Sequence, residues 1–138
     1  MTRNVILIED NPGDVELLRR AFDEHSVAHV MIVLEDGEQA ITYLDALHDD
    51  PKVDLIILDL NIPRHDGIEV LRRYRSHPGL LHVPVAVFTS SASPTERQRV
   101  ENIGVKTYLQ KPMDLDAYLG LGATFQRLIN NPDFAESN

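Results

Sequence analysis

Three stretches of this chain are apolar almost without interruption and rich in Val and Ile: VILI at Val5–Ile8, VDLIILDL at Val53–Leu60 and VPVAVF at Val83–Phe88. A strand with one wet face alternates apolar and polar residues. One that does not alternate is covered on both faces, as in a parallel sheet with helices on each side. Two further runs, HVMIVL at His29–Leu34 and KTYLQ at Lys106–Gln110, are mixed in polarity and fit the edges of such a sheet.

The segments between these runs carry helical spacing. Val15, Leu18, Ala21 and Phe22 follow the turn NPGD, where Asp14 is the expected cap; Ala40, Ile41, Leu44 and Leu47 follow Gly37; Ile68, Val70, Leu71 and Tyr74 mark a third helix. The fourth opens on SPTE, with Ser93 as N-cap, Pro94 as first helical residue and Glu96 as capping-box partner, and closes with Gly104 at C′. Its body offers only Val100 and Ile103 as apolar anchors, which predicts a thinly packed helix. A fifth is predicted from Asp114 to Ile129, with Gly120 and Gly122 each weakening it by about 1 kcal/mol relative to alanine. Five alternating βα units imply an α/β, doubly wound, single-domain fold. With right-handed crossovers and the polar strands outside, the strand order is 2-1-3-4-5. The crevice of such a sheet opens at the C-terminal ends of strands one and three.

Those ends carry the chemistry. Strand one stops at Glu9 and Asp10, strand three at Asp59, strand four at Thr89, and strand five at Lys111 before Pro112. Converging carboxylates repel one another and call for a cation. Oxygen donors with no Cys or His select a hard ion, in the pattern of Mg²⁺. A carboxylate beside such an ion can act as a nucleophile towards phosphorus, giving an aspartyl phosphate. Lys111, Thr89 and the amides of the loop after Asp59 would supply the charge neutralisation that phosphoryl transfer needs. A cis Lys111–Pro112 bond is expected to turn the lysine into the crevice.

The composition agrees and narrows the alternatives. With 138 residues, 43% apolar, the chain is the size of one domain with its own core. Thirteen basic against 22 acidic residues give a formal charge of −9, which argues against a nucleic-acid partner. There is no cysteine, so thiolate sites and disulfides are excluded. The four apolar residues before Glu9 are too few for a signal segment, and no window approaches a membrane span, so a soluble, cytoplasmic protein is expected. The six histidines show no metal-ligand spacing and are read as surface residues.

Taken together, IED, ILDLNIP followed by DG, FTSSA and YLQKP closely resemble the receiver domain of two-component response regulators, which is flavodoxin-like. The resemblance reaches to about residue 130, giving a receiver domain at 1–130 and a tail at 131–138. It implies that Asp59 accepts a phosphoryl group from a sensor histidine kinase or a phosphotransfer protein. Glu9, Asp10 and Asp59 would hold Mg²⁺ with the backbone carbonyl of Asn61, and Thr89 and Lys111 would bind the phosphoryl oxygens. Tyr108 would swing inward and reshape the face made by the fourth helix, fifth strand and fifth helix, while Asn61 and Ser91 would flank the attacking water. Such a domain catalyses only its own phosphorylation and dephosphorylation. The EDNPGD opening further resembles small stand-alone regulators paired with bacterial phytochromes. That implies a homodimer through the same face, with Phe134 of the tail packing there.

Rival readings remain. A phosphatase or phosphotransferase of the haloacid dehalogenase type also uses a strand-end Asp, but needs a second Asp two residues on, where this chain has Asn61. A nucleotide or flavin module would need a phosphate cradle where EDNPGD puts acids. A receiver-like scaffold that dimerises without phosphorylation would not need Glu9, Asp10, Thr89 and Lys111 together.

Overall fold

A computed structural model describes residues 1–49, 51–91 and 93–134. Five strands, β1 (Arg3–Ile8), β2 (His29–Leu34), β3 (Leu55–Leu58), β4 (Val85–Thr89) and β5 (Thr107–Gln110), form one parallel sheet in the order β2-β1-β3-β4-β5. Five helices connect and cover it: α1 (Pro12–Glu24), α2 (Gly37–Asp45), α3 (Gly67–Ser76), α4 (Pro94–Asn102) and α5 (Leu115–Asn130). A 3₁₀ turn at Pro78–Leu80, opened by the Pro-Gly pair, leads into β4. No described helix is long and apolar enough to cross a membrane.

The lack of alternation has a direct cause. Ile6 and Ile8 of β1 join Ile56 and Leu58 of β3 in a core beneath α2, α3 and α4, while Val5, Leu7, Leu55 and Ile57 meet α1 and α5 on the other face. Every position of Val5–Ile8 and Leu55–Leu58 is therefore an inside position. β2 does alternate, with Val30 and Ile32 exposed at one edge of the sheet. β5 departs from the expected half-wet edge strand: Thr107, Tyr108 and Leu109 are all buried, because Tyr108 enters one core and Leu109 the other.

Local signals place most helix ends. Ser93 Oγ accepts from Glu96 N at 3.2 Å, and Gly104, at φ +95°, sits just past the C-cap of α4 as expected. Val100 is the one buried residue of that helix, so α4 is held to the body by little. At α1 the cap is Asn11 rather than Asp14: Asn11 Oδ1 accepts from Gly13 N and Asp14 N. This correction leaves the Asp14 side chain free for another role.

The two glycines of α5 are not equivalent. A Cβ at Gly122 would lie 2.2 Å from the Ala21 carbonyl of α1, whereas one at Gly120 would meet nothing within 4 Å. Gly122→Ala should therefore destabilise the fold by about 2 kcal/mol through overpacking. Gly120→Ala should stabilise it by about 0.5–1 kcal/mol through helix propensity. Urea unfolding of the two variants checks this; equal effects would contradict the α1–α5 contact.

Phe134 is half-buried against the α1–α5 core and lines a cleft with Pro84, Val105, Thr107 and Leu128, at the start of β4 and β5 and the end of α5. Residues 135–138 of the tail lie outside the described residues.

Candidate functional site

The register of the sheet brings the strand-end residues into one row. Ile8 pairs with Leu58, and Asp59 N donates to Ile8 O at 3.0 Å, so Glu9 and Asp59 leave neighbouring strands side by side. Where β4 ends and just past β5, Lys111 N donates to Thr89 O at 2.7 Å. Glu9 is 1% and Asp59 4% exposed, while Asp10 is open to solvent. Carboxylate oxygens of Glu9, Asp10 and Asp59 all lie within 4.8 Å of one another.

Lys111 is the hub of the row. Its Nζ lies 2.6 Å from Glu9 Oε1, 2.9 Å from Asp14 Oδ2 and 2.9 Å from Asp59 Oδ2. The expected cis bond is absent: Lys111–Pro112 is trans. The ladder bond to Thr89 O already fixes the backbone so that the side chain enters the crevice without it. Burial opposes the ammonium charge, but the three carboxylates outweigh it and raise the Lys111 pKa above its ordinary value. Glu9 is pushed up to about 7, chiefly by burial, with the Asp59 charge adding to the effect and Lys111 opposing it.

Asp14 is the site residue that the sequence reading passed over as a cap. It divides its oxygens, with Oδ2 accepting from Lys111 at 2.9 Å and Oδ1 from the Tyr118 hydroxyl at 2.8 Å. Burial, then the bond to Asp14, drives the Tyr118 pKa well above the tyrosine range. A signal was present. Asp14 stands four residues before Leu18, on the same stripe as Ala21 and Phe22, and a carboxylate on an apolar stripe needs a cation.

From Asp59 a chain of hydrogen bonds runs to Tyr108. Asn61 N donates to Asp59 Oδ1 at 2.9 Å, and Asn61 Nδ2 to Thr89 Oγ1 at 3.2 Å. Thr89 Oγ1 lies 3.2 Å from Ser91 Oγ, which in turn donates to Glu96 Oε1 at 3.3 Å. Tyr108, already turned inward, donates to the same Glu96 oxygen at 3.0 Å and contacts the Ser91 carbonyl at 3.3 Å. Glu96, expected as a reciprocal cap, thus has one oxygen committed to the tyrosine and the serine. Burial first, then this bond, raises the Tyr108 pKa.

The donor set fits a small hard dication. It consists of oxygens only, and two of the three carboxylates are buried.

A doubly wound sheet with acids after β1 and β3, a hydroxyl after β4 and a lysine after β5 defines a class, and the match is direct. Residues 5–120 fit the family model of the response regulator receiver domain, and this chain belongs to that family. Among individual proteins it is similar to the response regulator Rcp1 of Synechocystis sp., at 32% identity over 114 residues, covering 80% of this chain and 78% of Rcp1. The phosphorylated cyanobacterial phytochrome response regulator RcpA superposes with a TM-score of 0.84 at 28% identity, covering 97% of this chain and 98% of that one. The Mn²⁺-bound form of Rcp1 gives 0.81 at 27% identity, covering 97% and 99%.

Proposed function

We propose that this protein is a stand-alone response regulator that accepts a phosphoryl group on Asp59 from a sensor histidine kinase or a phosphotransfer protein. The observation that carries the reading is the seating of Asp59: nearly buried, 2.9 Å from Lys111 Nζ, with Glu9 and Asp10 within 4.8 Å. A bacterial phytochrome is the inferred kinase type, because RcpA is a cyanobacterial phytochrome response regulator. Cytoplasmic location and a homodimer through the α4-β5-α5 face are part of the same proposal.

Glu9, Asp10, Asp59 and the Asn61 carbonyl are the inferred Mg²⁺ ligands, and the Mn²⁺-bound Rcp1 structure supports a dication in this kind of site. The ion would supply charge neutralisation on the transferring phosphoryl group. In the transfer, an Asp59 carboxylate oxygen forms the new bond to phosphorus, and the bond from phosphorus to the donor breaks with its electron pair leaving on the donor. Lys111 neutralises a phosphoryl oxygen, and Thr89 offers its hydroxyl to another. For Thr89 to do so it must turn away from Ser91, which loosens the chain to Glu96 and Tyr108 and so alters the thinly packed α4. Ser91 and Asn61 remain the proposed flanks of the hydrolytic water. Outside its own phosphorylation and dephosphorylation the protein is proposed to have no enzymatic activity.

Incubation with acetyl phosphate tests the proposal. A base-labile adduct of one phosphoryl group, formed with Mg²⁺ and not in EDTA, is expected in the intact mass. An adduct formed equally well in EDTA would contradict it. Light scattering before and after the adduct forms reports whether association follows phosphorylation.

Proton linkage gives a second expectation. A Glu9 carboxyl with a pKa raised from 4.5 to about 7 stabilises the metal-free fold below the lower value, and this contribution is lost as pH rises through the higher one. A dication requires the ionised form, so its binding expels a proton below that pH. The rise in Tm produced by Mg²⁺ should grow from about pH 6 to about pH 7.5 and then level off. A flat profile would contradict the linkage.

A further inference from the structure

Away from Asp59, a cleft of about 300 Å³ opens between the C-terminal ends of α3 and α4. Arg72 and Arg75 of α3 and Arg99 of α4 line it, with Ser76, Asn102 and Ile103, and no carboxylate does. In a chain of formal charge −9, three guanidiniums around one cleft need a reason. Helix dipoles supply part of it, since each C-terminus carries about half a negative charge. Two such ends offset about one of the three cationic charges, before the carboxylates of Glu69 and Asp66 outside the cleft are counted.

The arginines also have partners outside the cleft, but weak ones. Arg72 lies 3.0 Å from Glu69 and Arg99 4.0 Å from Asp66, all about half exposed, and such surface pairs leave a side chain free to turn. Arg75 is placed differently. Its Nη1 reaches the Val83 carbonyl only at 3.5 Å, and its buried Nε–H has no acceptor in the protein. A buried donor without an acceptor is costly, and it leaves the Arg75 guanidinium, which lines both this cleft and the neighbouring one at Val83, only weakly fixed.

We propose that this cleft binds a doubly charged oxyanion, either free phosphate or the phosphate group of a small molecule, with Arg75 and Arg99 donating from α3 and α4. Such an anion bridges the two helices and fastens α4, which otherwise contributes only Val100 to the core. The site is separate from Asp59 and needs no phosphorylation.

The test is a titration of the full chain with inorganic phosphate in EDTA, at constant ionic strength set with chloride, followed by the NMR signals of the residue 94–104 amides and the arginine Nε–H groups. Saturable shifts at the ends of α3 and α4 are expected, with affinity reduced about tenfold in Arg75→Gln and in Arg99→Gln. Should Arg75→Gln fail to fold, the half-exposed Arg99 decides alone. A response that never saturates, or one unchanged in Arg99→Gln, overturns the proposal. In a parallel titration with a sugar phosphate, tighter Arg99-dependent binding identifies a phosphorylated small molecule as the ligand, and equal Arg99-dependent affinity identifies the free ion.

Discussion

Lys111→Met should lower the stability of the metal-free protein by about 3 kcal/mol, or roughly 10 °C in Tm. The lysine Nζ meets Glu9, Asp14 and Asp59 within 2.9 Å, and their side chains are only 1%, 16% and 6% exposed. Removing the ammonium leaves three carboxylates facing one another with little water to screen them. Uptake of a proton by Glu9, whose pKa already stands near 7, relieves part of the repulsion and keeps the loss at the low end for a broken buried ion pair. Mg²⁺ should then restore more stability to the variant than it adds to the wild type, because it replaces a charge the variant lacks. Thermal unfolding in EDTA and in millimolar Mg²⁺ checks both statements. A variant as stable as the wild type in EDTA would mean that the lysine is not the counter-ion of the cluster.

Asp59→Asn should abolish the adduct from acetyl phosphate, a fall of about two orders of magnitude or more, while leaving the fold intact. The amide is nearly isosteric with the carboxylate and still offers an oxygen to Asn61 N or Lys111, but it is no nucleophile. The stability effect should be opposite in kind to that of Lys111→Met. Losing one negative charge relieves Glu9, whose pKa the Asp59 charge helps to raise, so the metal-free variant should be at least as stable as the wild type. What it should lose is most of its stabilisation by Mg²⁺. A folded variant that still forms the adduct would deny Asp59 a chemical role, whereas a fall in a fully folded variant supports one.

The two variants differ because they act on opposite sides of one charge balance. That balance was visible in the sequence only through the topology. The unalternating runs at Val5–Ile8 and Leu55–Leu58 forced a sheet covered on both faces, and the sheet order then carried Glu9, Asp10, Asp59, Thr89 and Lys111 to a common edge. Capping chemistry at Ser93 and Gly104 was equally readable, since it depends on a few adjacent residues. Contacts set by tertiary placement were not. Asp14 looked like a cap because it closes NPGD, and only the packing of α1 beside α5 turns it towards Lys111 and Tyr118. Glu96 looked like a local capping partner, yet the inward rotamer of Tyr108 claims one of its oxygens. The penalty assigned to Gly122 likewise missed its use, because the Ala21 carbonyl that requires a bare α-carbon comes from a helix about a hundred residues away in the chain.

The central claim is that Asp59, and no other side chain of the acidic cluster, takes the phosphoryl group. Borohydride reduces an acyl phosphate to an alcohol, which marks the modified carboxyl permanently. Applied to protein incubated with acetyl phosphate and Mg²⁺, followed by peptide mass mapping, it should place the alcohol at position 59, in the peptide containing LIILDLNIP. An alcohol at Glu9, Asp10 or Asp14, or a phosphoryl group recovered on a histidine, would contradict the account.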